Sequence, residues 1–176
     1  MKEIRVAGDY SRYMDRKGTF EQLMREYGPL IKRIAASYEA DKELARDLAQ
    51  EIFLAVWRAL PSFRAESSLR TFLARIAHNR AVTHVAHSAS APESIELPDE
   101  LPCPVPELEA QAIESDRHAR TLKAVQQLPL AYRQVATLIL EGFTPVEVAQ
   151  TLGLTTNAVA IRATRARSRL RALLGE

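Results

Sequence analysis

The stretch from Phe143 to Leu174 constrains this chain more than any other, because it reads as a helix, a glycine turn and a second helix whose far half is rich in arginine. Thr144, Pro145 and Glu147 predict the start of the first helix. They supply a hydroxyl N-cap, a proline where its missing N–H costs nothing, and a Glu that reaches back to complete a capping box. Val146, Val148, Ala149 and Leu152 form its apolar side. Gly153 stands where the chain needs a left-handed residue to leave that helix, and Thr155 or Thr156 offers the hydroxyl that begins the next. So short a turn holds two helices at a steep angle. At about 100° per residue, Val159, Ala163, Ala166, Leu170 and Leu174 fall on one stripe of the second helix, which must be the buried one. Asn157, Ala160, Ile161, Thr164, Arg165 and Ser168 lie opposite. Five arginines and no acid lie between Arg162 and Arg171, a density suited to phosphates. Taken alone, this is an amphipathic helix with a solvated basic face and arginines that complement its dipole. The two caps and the glycine at this spacing predict instead a helix-turn-helix that reads duplex DNA.

Charge divides the rest. The net charge of +2 over 176 residues conceals a partition: residues 1–90 hold 15 basic and 11 acidic residues, 91–116 hold none and 8, and 117–176 hold 9 and 3. Two basic bodies are therefore joined by an acidic strap. The strap also contains Pro92, Pro98, Pro102, Pro104 and Pro106 and little large apolar residue beyond Ile95, Leu97 and Leu101, so it predicts an extended or disordered linker. The lone cysteine, Cys103, lies there and excludes an internal disulfide. Residues 1–18 are polar and mixed in charge, unlike a secretion signal, and the longest apolar runs, such as Val135 to Leu140, are too short to span a bilayer. These features predict a cytoplasmic, reduced protein with no direct membrane insertion.

The N-terminal body reads as helices throughout. Thr19 with Gln22 predicts a capping box, after which Phe20, Leu23, Met24, Tyr27, Leu30, Ile31, Ile34 and Tyr38 recur at helical spacing, with Gly28-Pro29 expected to bend the helix. Asp41 predicts the cap of a second helix ending at Pro61, with Leu44, Leu48, Ile52, Val56 and Ala59 inward. Its flank gathers Asp47, Gln50, Glu51 and Leu54 into a patch of acid, amide and exposed leucine. Exposed acids usually serve solvation; a leucine among them raises the case for a protein partner. A loop, Ser62 to Ser68, leads to a third helix with Leu69, Phe72, Leu73, Ile76 and Ala77 inward. Arg70, Arg75, His78, Asn79, Arg80 and His84 are expected largely outward. Aromatic, arginine and hydroxyl residues together suit an unstacked base, which offers a flat face and an edge of donors and acceptors. The plainer alternative is that Phe63 and Phe72 are core.

Three blocks carry a family resemblance: Ala45 to Arg64, Ser67 to Asn79, and Leu128-Pro129 with the helix-turn-helix through Arg167. In this order, with a variable linker between, they resemble bacterial sigma-70 factors of the extracytoplasmic-function type. The resemblance implies an all-α fold of two small helical domains: a tail over 1–18, sigma region 2 over 19–90, a linker over 91–116 and sigma region 4 over 117–176. It implies that Asp47, Gln50, Glu51 and Leu54 dock on the clamp helices of core RNA polymerase. Phe63, Arg64, Glu66, Ser67 and Ser68, with Arg75, His78 and Asn79, would then meet the minus-10 element. Thr156, Asn157, Ala160, Ile161, Thr164, Arg165 and Arg167 would meet the minus-35 element, Arg167 on the backbone side. Ala160 and Ile161 depart from the pattern, bringing apolar side chains where many relatives carry polar ones. Phe72 replaces a common Trp, and Thr83, Ala86 and His87 replace the usual Asp and closing basic run.

The resemblance implies a sigma factor that binds core polymerase and promoter DNA, favours melting by trapping a flipped base, and is held idle by an anti-sigma factor. No catalytic activity, cofactor or metal is expected. Two rivals remain on sequence grounds. A stand-alone helix-turn-helix regulator leaves Asp47 to Glu51 and the proline strap without a use. A metalloprotein built on His78, His84 and His87 lacks a nearby Cys or carboxylate to complete a site.

Overall fold

The computed structural model describes residues 16–88 and 109–175. Cys103 and the prolines of the strap lie outside them. Among the described residues the fold is all helical: α1 (Arg16–Tyr38), α2 (Lys42–Ala59), a 3₁₀ turn (Leu60–Ser62), α3 (Leu69–Ser88), α4 (Glu109–Gln126), α5 (Leu130–Leu140), α6 (Pro145–Leu152) and α7 (Thr156–Leu174).

Local signals account for most of these boundaries. Asp41 caps α2, its carboxylate accepting the N–H groups of Glu43 and Leu44, each at 2.9 Å. Ser68 caps α3 by accepting the Thr71 N–H at 3.1 Å. The capping box expected at Thr19 does not start α1, which begins at Arg16 and runs on through Pro29. Burial of Leu30, Ile31 and Ile34 just beyond the proline offsets the local loss of a helical hydrogen bond. In the stretch expected to be an extended linker over 91–116, α4 begins at Glu109. Leu44, expected inward, is 49% exposed, while the small Ala49 takes a buried place beside Leu48, Ile52 and Val56.

The helices α1, α2 and α3 form one bundle and α4 to α7 another, yet the apolar core does not stop between them. Leu30, Ile31, Ile34 and Tyr38 of α1 belong to the same buried cluster as Val135 and Leu138 of α5, Phe143, and Val148 and Ala149 of α6. A smaller cluster of Leu128, Ala136 and Ala166 closes the C-terminal bundle from within. Polar contacts rim the shared core. The Arg33 guanidinium donates to both carboxylate oxygens of Glu141, at 2.9 Å and 2.7 Å. Thr137 Oγ1 donates to Ser37 Oγ at 3.0 Å, which in turn donates to the Ile34 carbonyl at 2.7 Å. Gln126 donates to the Ala36 carbonyl at 2.7 Å.

His78, expected on the outward side of α3, is turned inward and is 1% exposed. The correction has a simple cause: α3 is covered by α1 and α2 on one side and by α6 on another, so a single polar stripe cannot all reach solvent. Its Nδ1 lies 2.5 Å from the Tyr38 hydroxyl, and its Nε2 is buried without a hydrogen-bond partner. Burial drives the imidazole pKa down to about 3 and raises that of the Tyr38 hydroxyl, so the pair is neutral.

The continuous core predicts that Leu138→Ala, at a fully buried site, costs about 2–5 kcal/mol. Urea unfolding followed by the fluorescence of Trp57, in the opposite bundle, should report that loss; an unchanged Trp57 transition would mean the bundles unfold independently. The histidine yields a second expectation. Folded His78 resists protonation until about pH 3, whereas an exposed histidine takes a proton near 6.5, so between those values the unfolded chain binds more protons and stability falls as pH drops. The fall should reach about 1 kcal/mol per pH unit in wild type and be shallower in His78→Gln, as read from urea midpoints at pH 7, 6 and 5.

Candidate nucleic-acid interface

The C-terminal helix pair is built by its own short-range chemistry. The Thr144 N–H donates to Glu147 Oε2 at 2.8 Å, and the Glu147 N–H donates back to Thr144 Oγ1 at 3.3 Å. That backbone hydrogen bond holds the Glu147 carboxyl below the usual carboxylate range. Gly153 leaves α6 at φ 65°, a left-handed conformation that a Cβ would strain. Of the two threonines offered as caps, Thr155 is the one used: its Oγ1 accepts the Ala158 N–H at 3.1 Å. Val159 and Ala166 face inward, and Ala163, Leu170 and Leu174 are half-buried on the same stripe. Thr156, Asn157, Ala160, Ile161, Thr164, Arg165 and Arg167 are all exposed. An open helix face thus carries amide, hydroxyl, methyl and guanidinium groups together. Arg169 is held aside, its guanidinium 5.3 Å from the centre of the Tyr132 ring.

On α2, Asp47, Gln50, Glu51 and Leu54 all lie exposed, Leu54 at 48%. Leu44, displaced from the core, extends this patch by one turn. The residues 44, 47, 51 and 54 then follow the three-and-four spacing of one helix face, with leucines at both ends and acids between. This is the part of the patch that periodicity missed. Leu44 fits the inward stripe equally well, yet it is exposed while Ala49 is buried.

The loop before α3 contains the one non-glycine residue with positive φ among the described residues, Ala65 at 56°. This turn leaves Arg64 and Glu66 exposed on either side of it. Phe63 is half-buried and tilts against Phe72, ring centres 4.9 Å apart, so it forms a floor beneath the loop. Ser68 Oγ is engaged in capping α3 and lies 2.8 Å from Thr71 Oγ1; Ser67 is half-buried. Along α3, Asn79 and Arg80 are exposed. Arg75 is exposed too, but its guanidinium donates to the Gln150 carbonyl on α6 at 3.0 Å. His78 stands apart from this group, buried in the core.

Arg70, expected outward, reaches across to the C-terminal bundle. Its guanidinium sits 4.1 Å from the centre of the Phe143 ring and donates to the Glu141 carbonyl. Glu141 and Phe143 had no sequence signal as junction residues: their partners Arg33 and Arg70 lie far away in the chain, where no periodicity can point to them. His84 pairs with Glu39 at 2.8 Å and His78 with Tyr38. Among the described residues, no cluster of three His, Cys, Asp or Glu side chains could hold an ion, and no helix is long and apolar enough to cross a membrane.

Comparison with known proteins covers both bundles. The family model described as sigma-70 region 2 matches residues 23–90, and that described as sigma-70 region 4 matches residues 118–170. The RNA polymerase sigma factor NccH of Alcaligenes xylosoxydans xylosoxydans is 31% identical over 164 residues, covering 88% of this chain and 86% of that one. The ECF RNA polymerase sigma factor SigM of Mycobacterium tuberculosis is 29% identical over 171 residues, covering 97% and 81%. Among solved structures, CnrH in complex with the cytosolic domain of CnrY matches with a TM-score of 0.67 at 26% identity, covering 92% and 91% of the two chains. The sigma factor RpoE in complex with the anti-sigma factor NepR from Bartonella quintana matches with a TM-score of 0.68 at 25% identity, covering 89% and 97%.

Proposed function

The chain belongs to the extracytoplasmic-function branch of the sigma-70 family, and from that premise we infer how its surfaces divide the work of transcription initiation. The observation that carries the reading is that region 2 and region 4 occur in order in one chain, each presenting an exposed face of the right chemistry. The acid-and-leucine face of α2, Asp47, Gln50, Glu51 and Leu54 with Leu44, docks on core RNA polymerase. The loop residues Phe63, Arg64, Glu66, Ser67 and Ser68 hold a base drawn from the minus-10 element, with Arg75 and Asn79 beside it. Thr156, Asn157, Ala160, Ile161, Thr164 and Arg165 enter the major groove of the minus-35 element, and Arg167 meets its backbone.

The mechanism is binding, not covalent chemistry. Each basic module is too weak a ligand to find a promoter alone; fixed at a set separation by the polymerase, their affinities multiply through effective concentration. Unstacking a base costs a few kcal/mol, and a pocket that accepts it shifts the equilibrium toward melted DNA. The packing of α3 on α6 occupies Arg70, and Arg75, although exposed, must release the Gln150 carbonyl before it can reach DNA. An anti-sigma protein that clamps both bundles would hold the chain idle in the cytoplasm. Two of the similar solved structures are complexes, of CnrH with the cytosolic domain of CnrY and of RpoE with the anti-sigma factor NepR, which supports this reading.

Replacing Asp47 and Glu51 together by Ala should weaken binding to core polymerase at least tenfold in a titration of labelled protein, and unchanged affinity would refute the docking face. Arg165→Ala should cost the holoenzyme about 1–3 kcal/mol on the minus-35 duplex if the guanidinium reads a base, and far less if it is merely solvated. Run-off transcription with core polymerase on a genomic library tests the role as a whole. A start-site pattern identical with and without this protein would sink it.

A further inference from the structure

The reading face of α7 contains a patch with almost no hydrogen-bonding capacity. Ala160 and Ile161 are exposed, Ile161 at 47%, and neither side chain can donate or accept. Thr164, one turn on, is exposed as well, but its Oγ1 donates to the Ala160 carbonyl at 3.0 Å. Its hydroxyl proton is thereby engaged by the helix's own backbone, so Thr164 offers outward its γ-methyl and an oxygen that can only accept. Residues at 160, 161 and 164 are neighbours on a helix, so three methyl-bearing groups adjoin. Ile161 also borders a groove with Pro129 and Tyr132. Arg162 and Arg165 line the same groove.

An exposed apolar patch beside arginines on the same helix suits one feature of duplex DNA above others. In the major groove the edges of A, G and C offer donors and acceptors alone, whereas thymine adds a C5-methyl group. A polar base edge pressed against Ile161 would lose its water and gain no partner. We propose that Ala160, Ile161 and the Thr164 methyl form a thymine-methyl reader that sets the base preference at the centre of the minus-35 element. The proposal rests on the minus-35 assignment of α7, and it names both the base and the atom read. Specificity there comes from apolar contact, with the arginines supplying affinity that is indifferent to sequence.

The test uses holoenzyme reconstituted from core polymerase and the full chain. Upstream duplexes are first selected from a library randomised across the minus-35 element. Each thymine of the selected element is then replaced singly by deoxyuridine, which deletes the methyl and preserves every hydrogen-bonding group. At one or two positions wild type should bind about fourfold more weakly per methyl removed, the value of one buried methyl-sized group. Ile161→Ala should bind the thymine duplex more weakly yet show little further loss with deoxyuridine. Ile161→Asn should relax or redirect the selected base at the same position. A selected element without thymine would overturn the proposal, as would deoxyuridine substitutions without effect or an equal effect on Ile161→Ala. If instead no duplex is enriched, and Arg165→Ala behaves as wild type, it is the minus-35 assignment itself that fails.

Discussion

The arrangement of this molecule depends on one apolar junction: the corner between α5 and α6, carrying Leu138, Phe143 and Val148, is buried against α1 and α3. Neither bundle is large. A chain of two short helical units exposes much of its apolar surface if each stands alone, and burial across the junction removes that surface from water. Because the junction residues are fully or nearly fully buried, the relative placement of every exposed functional face follows from it.

Polar contacts then select one orientation of the joined bundles. Apolar burial has little directional preference, but a guanidinium and a carboxylate meet well in few geometries. Arg33 and Glu141 form such a fork at the rim, and because Arg33 is about half exposed this pair contributes more to register than to stability. Arg70 adds a contact that is at once stacking on Phe143 and hydrogen bonding to the Glu141 carbonyl. Its neighbour along α3, Arg75, is held by Gln150. Residues whose chemistry suits nucleic acid are thus engaged by the protein itself, while the acid-and-leucine face of α2 remains open.

The buried Tyr38–His78 pair shows what such packing costs. It links α1 to α3 through a single 2.5 Å contact and leaves one ring nitrogen unsatisfied, a penalty tolerated because the surrounding core holds the ring in place. A histidine in this position adds polar specificity to a contact between helices that is otherwise mainly apolar.

The helix-turn-helix was legible from the chain because everything that builds it is local: cap, proline, glycine and second cap all act within a few residues, and each formed the hydrogen bond or backbone angle its chemistry predicts. The acidic leucine-bearing face of α2 and the basic face of α7 were legible for the same reason, since helical period alone sorts side chains around an axis. What periodicity cannot supply is the number of neighbours a helix will have. His78 and Leu44 changed places between surface and core because α3 is covered on more than one side and α2 on fewer than its apolar positions suggest. Local hydrogen bonding and helical period therefore determined the elements and the chemistry of their faces. Only the long-range meeting of Arg33, Arg70 and Tyr38 with Glu141, Phe143 and His78 decided which of those faces stays open, because contacts between residues so distant in sequence depend on how whole helices pack.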